Sequence, residues 1–202
     1  DRICLCGSRI FIERKIYQNF KKKFLEKVQN LTIGDPLENT TKMGALVSND
    51  HMQKVLNHIQ IAHDDGGVLL SGGKQFIPKG RCENGYFVEP TVFEGLSYNC
   101  ATNQEEIFGP VVTLNPFDNE DEVIKTANDT IFGLAAGIWS KDITKAMKIA
   151  DNIEAGTIYI NNYFNAAAQS PVGGYKQSGY GRENGWEGMR CFMPVSYTHL
   201  RA

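Results

Sequence analysis

Three short stretches of this chain combine residue types that could do chemistry. The first, 3–9, reads Ile-Cys-Leu-Cys-Gly-Ser-Arg and puts Cys4 and Cys6 one residue apart, just ahead of the apolar run 9–12. A Cys-x-Cys pair does not close an easy disulfide. A tetrahedral zinc site needs further ligands at zinc spacing, whereas the nearest histidine is His51, so no metal site is expected. Two readings stay open: small apolar side chains buried at a strand start, or a thiol held in a loop ahead of a strand, facing a cleft as a nucleophile.

The second stretch, 103–110, reads Asn-Gln-Glu-Glu-Ile-Phe-Gly-Pro and leads into the apolar run 111–114. The adjacent carboxylates Glu105 and Glu106, the aromatic Phe108 and the Gly-Pro turn set polar groups at a strand entrance. The alternative is a solvated loop with Phe108 turned into the core. The third stretch, 171–184, reads Pro-Val-Gly-Gly-Tyr-Lys-Gln-Ser-Gly-Tyr-Gly-Arg-Glu-Asn, with four glycines in nine residues. That density demands unusual backbone angles or close approach to a ligand or another chain. It is neither a Walker motif nor the strand-then-glycine loop of a dinucleotide site.

These stretches need elements to hold them. Residues 9–12 read as a strand feeding a helix over 16–28, with Ile16, Tyr17, Phe20, Phe24, Leu25 and Val28 at helical spacing. Ser48, Asn49 and Asp50 are N-cap types for a helix that buries Met52, Val55, Leu56, Ile59 and Ile61 or Ala62, ended by Gly66 and Gly67. Residues 68–90 read as short strands and turns. Beyond them come a strand at 111–114, a helix at 119–129, a strand at 135–139, a helix at 142–154 and a strand at 157–161. This alternation argues a parallel or mixed sheet flanked by helices. His51, His58 and His63 fall on one helix and are expected in exposed or capping roles. Cys82 and Cys100 read as ordinary thiols, and Trp139 and Trp186 as packing residues.

Composition narrows the classes. The 202 residues are 42% hydrophobic and 22% charged, as in a globular domain. Twenty-one basic against 23 acidic residues give a net charge of −2, which draws the chain neither to nucleic acid nor to anionic lipid. No apolar stretch reaches the roughly 18–20 residues of a membrane span. Five cysteines at irregular spacing suit a reducing, cytoplasmic compartment.

The three stretches, together with Phe-Gly-Leu-Ala-Ala-Gly at 132–137 and Glu-Ala-Gly-Thr-Ile-Tyr-Ile-Asn at 154–161, resemble the NAD(P)-dependent aldehyde dehydrogenase superfamily in order and spacing over about residues 3–185. The wording of 163–185 is similar to betaine-aldehyde-type members. The resemblance implies an α/β fold, a three-layer αβα arrangement with a mostly parallel sheet. Residues 1–192 would then be part of a catalytic domain whose cofactor domain lies outside the stretch, and 193–202 a tail off the family pattern, with 196–202 foreign. By the same resemblance Cys4 is the nucleophile, its backbone N–H an oxyanion donor, Glu106 the holder of the nicotinamide-ribose hydroxyls, and Phe108 the aromatic beside that ring. Ile3, Leu5, Ala166 and Val172 would line the substrate tunnel, with Asn162, Gly173 and Gly174 bordering it in structural roles.

The cofactor implied is NAD or NADP, the substrate a small aldehyde oxidised to its acid, and the complete protein a homodimer or homotetramer. Ala166 and Val172 stand where related enzymes often carry aromatics, which suggests a roomier pocket. The family's general-base glutamate, oxyanion-hole asparagine and adenosine site have no match in these residues, so the 202 residues alone are expected not to turn over. The alternatives are a CoA-acylating relative, in which the thioester passes to CoA, and an inactive relative that serves as a binding or oligomerising module.

Overall fold

A computed structural model describes residues 3–165 and 167–196. In chain order the elements are β1 (Arg9–Glu13), α1 (Tyr17–Gln29), α2 (Asn49–Asp64), β2 (Val68–Ser71), β3 (Gln75–Phe76), β4 (Phe87–Val88), β5 (Thr91–Glu94), α3 (Ala101–Gln104), β6 (Val111–Phe117), α4 (Glu120–Asn128), β7 (Phe132–Gly133), β8 (Ala135–Ile138), α5 (Ile143–Ala150), β9 (Thr157–Ile160), β10 (Tyr175–Lys176) and α6 (Gly185–Arg190). The chain divides into two compact units, Asp1–Ala127 and Asn128–Ala202.

The first unit is built on a sheet in the order β1-β6-β5-β2, with β6 parallel to both β1 and β5 and β2 antiparallel at the edge. Strand alternation gives this sheet two apolar faces. Ile12, Val92 and Leu114 pack under α1 with Tyr17, Phe20, Phe24, Leu25 and Val28. Phe93 and Val111, one residue out of phase, pack against Met52, Val55, Ile59 and Ala62 of α2. Helix, sheet and helix therefore form three layers, the αβα arrangement anticipated from the sequence. Phe93, Leu114 and Val55 are fully buried, each worth about 1.5–3 kcal/mol.

Local chemistry sets the helix limits. The Ser48 hydroxyl accepts from the His51 N–H at 3.2 Å and caps α2. At the far end Gly66, at φ +83°, donates to the His63 carbonyl, as a left-handed closing glycine does. In the second unit β8 runs parallel to β9, with Ala135 opposite Thr157 and Ile138 opposite Ile160. Helix α5, capped by Asp142 through the N–H groups of Thr144 and Lys145, packs on both strands and buries Ala146. It stops at Ala150, short of the expected end at 154. Asn128 explains the difference: its side chain donates to the Asn152 carbonyl at 2.7 Å and accepts from the Glu154 N–H at 2.9 Å, drawing those residues out of helical pairing.

Candidate active site

Both candidate loops run into neighbouring parallel strands. Residues 3–8 lead into β1 and residues 105–110 into β6, and the Thr113 N–H donates to the Ser8 carbonyl at 3.0 Å where the two strands meet. In open α/β sheets ligands usually gather beyond the carboxyl ends of the strands; here Cys4 and Glu106 precede the amino ends. Arg9 fastens the first loop at its exit. Its guanidinium donates to the carbonyls of Thr126 (3.3 Å) and Ala127 (2.9 Å), at the end of α4 where cations are favoured. Cys4 is exposed and Cys6 half-buried, and the Cys6 N–H donates to the Ile3 carbonyl at 2.9 Å to close a turn over Cys4 and Leu5. The open reading of the Cys-x-Cys segment is thereby decided against two buried apolar thiols.

A chain of buried polar groups holds the second loop from below. The Thr113 hydroxyl donates to Asn103 Oδ1 at 2.7 Å and accepts from the Asn115 amide at 2.9 Å, while Asn103 donates to the Ser97 carbonyl at 2.8 Å. Asn103, Thr113 and Asn115 are all buried, and such groups persist only when paired. From the side the loop is gripped by one face of α2, through residues 51, 54, 55 and 58 at helical i, i+3, i+4, i+7 spacing. His51 Nε2 lies 2.8 Å from the Phe108 carbonyl, a bond that requires the proton on Nε2. Lys54 Nζ donates to the Glu106 carbonyl at 3.0 Å. A Cβ on Gly109 would stand 2.6 Å from a Val55 methyl, so the backbone passes Val55 with no room for a side chain. His58 Nε2 is 3.8 Å from a Glu105 carboxylate oxygen.

This grip leaves the chemically useful groups outward. Phe108 sits at φ +55° and is 38% exposed, not turned into the core, and Ile107 takes the buried place beside it. The Glu106 carboxylate is exposed and forms no hydrogen bond or ion pair among the described residues. Ile3 is exposed and Leu5 half-buried on the Cys4 turn. Val172 belongs to the second unit, where it pairs with Glu183 through two backbone bonds of 2.8 and 2.7 Å. Ala166 lies outside the described residues. Gly173 and Gly174 pass so close to the carbonyls of Gly181 and Ser178 that a Cβ at either would collide with them, which fits their structural role.

Three expectations need correction. His58 is 5% exposed rather than a surface or capping residue, because it faces the loop across α2 instead of solvent. Trp139 and Trp186 are 64% and 52% exposed, and Trp139 stacks on Tyr163 rather than filling a core. The bracing face of α2 was absent from the candidate residues. Its signal was present in the seven-residue spacing of His51 and His58 on an otherwise apolar stripe.

The chain matches the model of the aldehyde dehydrogenase family over residues 2–198 and belongs to that family. It is 45% identical over 184 residues to 4-trimethylaminobutyraldehyde dehydrogenase A of Danio rerio, covering 91% of this chain and 36% of that protein. It is 40% identical over 200 residues to an aldehyde dehydrogenase of Enchytraeus buchholzi, covering 99% and 39%. Among solved structures, betaine aldehyde dehydrogenase from Staphylococcus aureus in complex with NAD+ superposes with a TM-score of 0.89 at 39% identity, covering 94% of this chain and 38% of that one. The chain thus spans between a third and two-fifths of the length of these relatives.

Proposed function

We propose that the protein containing this chain oxidises an aldehyde to the carboxylic acid, with Cys4 as nucleophile and Glu106 as the anchor of a nicotinamide cofactor. The observation that carries this reading is the convergence of the Cys4 turn and the Glu106 loop on the paired strands β1 and β6. The residues fit the cofactor's nicotinamide end. A carboxylate without a partner among the described residues can accept from both hydroxyls of a ribose, and the exposed aromatic residue two positions on offers a face to the nicotinamide. When bound, NAD(P)+ supplies the hydride acceptor.

The chain's own part is covalent. The Cys4 thiolate adds to the aldehyde carbon, the carbonyl oxygen becomes an oxyanion within reach of a backbone N–H, and after oxidation the acyl group remains on sulfur as a thioester that water hydrolyses. Ile3 and Leu5, on the Cys4 turn, shape the acyl side of the site. The relatives' names direct the first assays to aldehydes bearing a quaternary ammonium group. Mixing the complete protein with such an aldehyde and NAD+, quenching in acid and digesting should give an acyl adduct on the 3–9 peptide. An adduct on any other residue, or one that survives Cys4→Ala, would sink the assignment.

A further inference from the structure

The nucleophile turn carries a second thiol for which the oxidation of aldehydes has no use. The bond from the Cys6 N–H to the Ile3 carbonyl makes Cys4 and Cys6 the second and fourth residues of a closed turn. In extended chain, residues two apart stand roughly 7 Å apart at Cα, too far for a disulfide; turn backbone brings them to about 5.5 Å, inside the usual disulfide window. The bend at Leu5 therefore lifts the objection that the spacing alone raises. Both thiols are unbonded, with Cys4 exposed and Cys6 half-buried. A Cβ on the following Gly7 would meet no atom within 4 Å, so the segment has space to adjust. Cys82, Cys100 and Cys191 lie far along the chain, outside this loop.

We infer that Cys6 is a resolving thiol for Cys4, and that the pair forms a reversible disulfide under peroxide. The Cys4 thiolate attacks one peroxide oxygen, the O–O bond breaks, and Cys4 becomes a sulfenic acid while the other oxygen leaves as hydroxide, which takes up the proton the Cys4 thiol gave up on ionising and becomes water. The Cys6 sulfur then attacks the Cys4 sulfur; the S–O bond breaks, the S–S bond forms, and the departing hydroxide takes the Cys6 proton to leave as a second water. Two thiols have lost two electrons and two protons to one peroxide. The link stops Cys4 short of the sulfinic and sulfonic acids, which thiols do not reverse. A ring this small holds the disulfide away from its preferred geometry, so a dithiol reopens it readily. The protective purpose rests on Cys4 being the nucleophile, whereas the thiol chemistry does not.

The test uses the complete, folded protein treated with a few equivalents of hydrogen peroxide, alkylated with iodoacetamide and cut with trypsin. Cleavage after Arg2 and Arg9 releases 3–9, which holds both cysteines and no other. The wild type should give this peptide unalkylated and lighter by a pair of hydrogens, with full alkylation restored by dithiothreitol. In Cys6→Ser and Cys6→Ala, Cys4 should instead gain two or three oxygens that dithiothreitol does not remove. A wild-type peptide with an overoxidised Cys4 beside an alkylated Cys6 would overturn the inference, as would Cys6 variants that recover as fully as wild type. The mass readout needs no turnover. A link that forms in a protein whose aldehyde oxidation survives Cys4→Ala would contradict the proposed function and leave the thiol pair standing.

Discussion

At the scale of single residues, Glu106 and Phe108 both keep their side chains exposed while their backbone is held. Lys54 engages the backbone carbonyl of Glu106, not its carboxylate, so the loop is fixed without consuming the carboxylate that the proposed function assigns to a ribose. Replacing Glu106 with Gln in the complete protein removes charge-assisted acceptors worth about 1.5–3 kcal/mol, which predicts a KM for NAD+ raised roughly tenfold to a hundredfold. Steady-state kinetics against NAD+ and against aldehyde separate this from a general loss, which would fall on both. A second residue-scale prediction concerns Tyr17 beneath the sheet. Its hydroxyl donates to Glu94 at 2.7 Å beside Lys21, and burial first, then Glu94, hold it well above the ordinary phenol range. A raised folded value means that this contribution is whole below the unfolded pKa of about 10 and is lost as pH climbs beyond it. Tyr17→Phe should cost about 1.5 kcal/mol at neutral pH and flatten the alkaline fall in melting temperature.

At the scale of elements, α2 does two jobs with two stripes: Met52, Ile59 and Ala62 fill the core, while His51, Lys54, Val55 and His58 face the Glu106 loop. Weakening the second stripe should loosen the loop and leave the fold intact. His51→Ala removes one bond of about 1 kcal/mol, so amide exchange at Ile107 and Gly109 should quicken several-fold with an unchanged far-UV spectrum. Gly109→Ala sets a methyl against Val55 and should destabilise by about 1–3 kcal/mol, with Val55→Ala giving part of it back. Much of this layer was legible beforehand. The run ahead of β1, the capped apolar stripe of α2 and the strand–helix–strand alternation of the second unit are local patterns, and the structure keeps them, with α5 ending four residues early. What escaped is non-local. The two-residue pairings of β3 with β4 and β7 with β10 have no period to read, and α6 starts at a glycine, a poor helix former. The bond from His51 to Phe108 spans 57 positions, and neither residue signals the other.

At the scale of the whole molecule, the shifted carboxylates and phenols predict stability that falls off on both sides of neutrality. Asp118, paired with Arg14 at 2.6 Å, and Asp35, paired with Arg81, are held below the usual carboxylate range by these guanidinium partners. A lowered folded value means that their contribution is present above the unfolded pKa of about 4 and is lost as pH falls from there through the lowered folded value. On the other side Tyr98, like Tyr17, is raised, chiefly by burial. Melting temperature measured from pH 2 to 11 should therefore show a plateau with an acid and an alkaline limb, and Asp118→Asn should shrink the acid one. Among the described residues no helix is long and apolar enough to cross a membrane. The chain spans 36–39% of its relatives, so catalysis is a property to be measured on the complete protein. The most direct test of the central claim is the rate of NADH formation from a quaternary-ammonium aldehyde by that protein, by its Cys4→Ala variant and by its Cys6→Ala variant. The account predicts oxidation lost with Cys4 and largely retained without Cys6; oxidation that survives Cys4→Ala, or disappears only with Cys6, would contradict it.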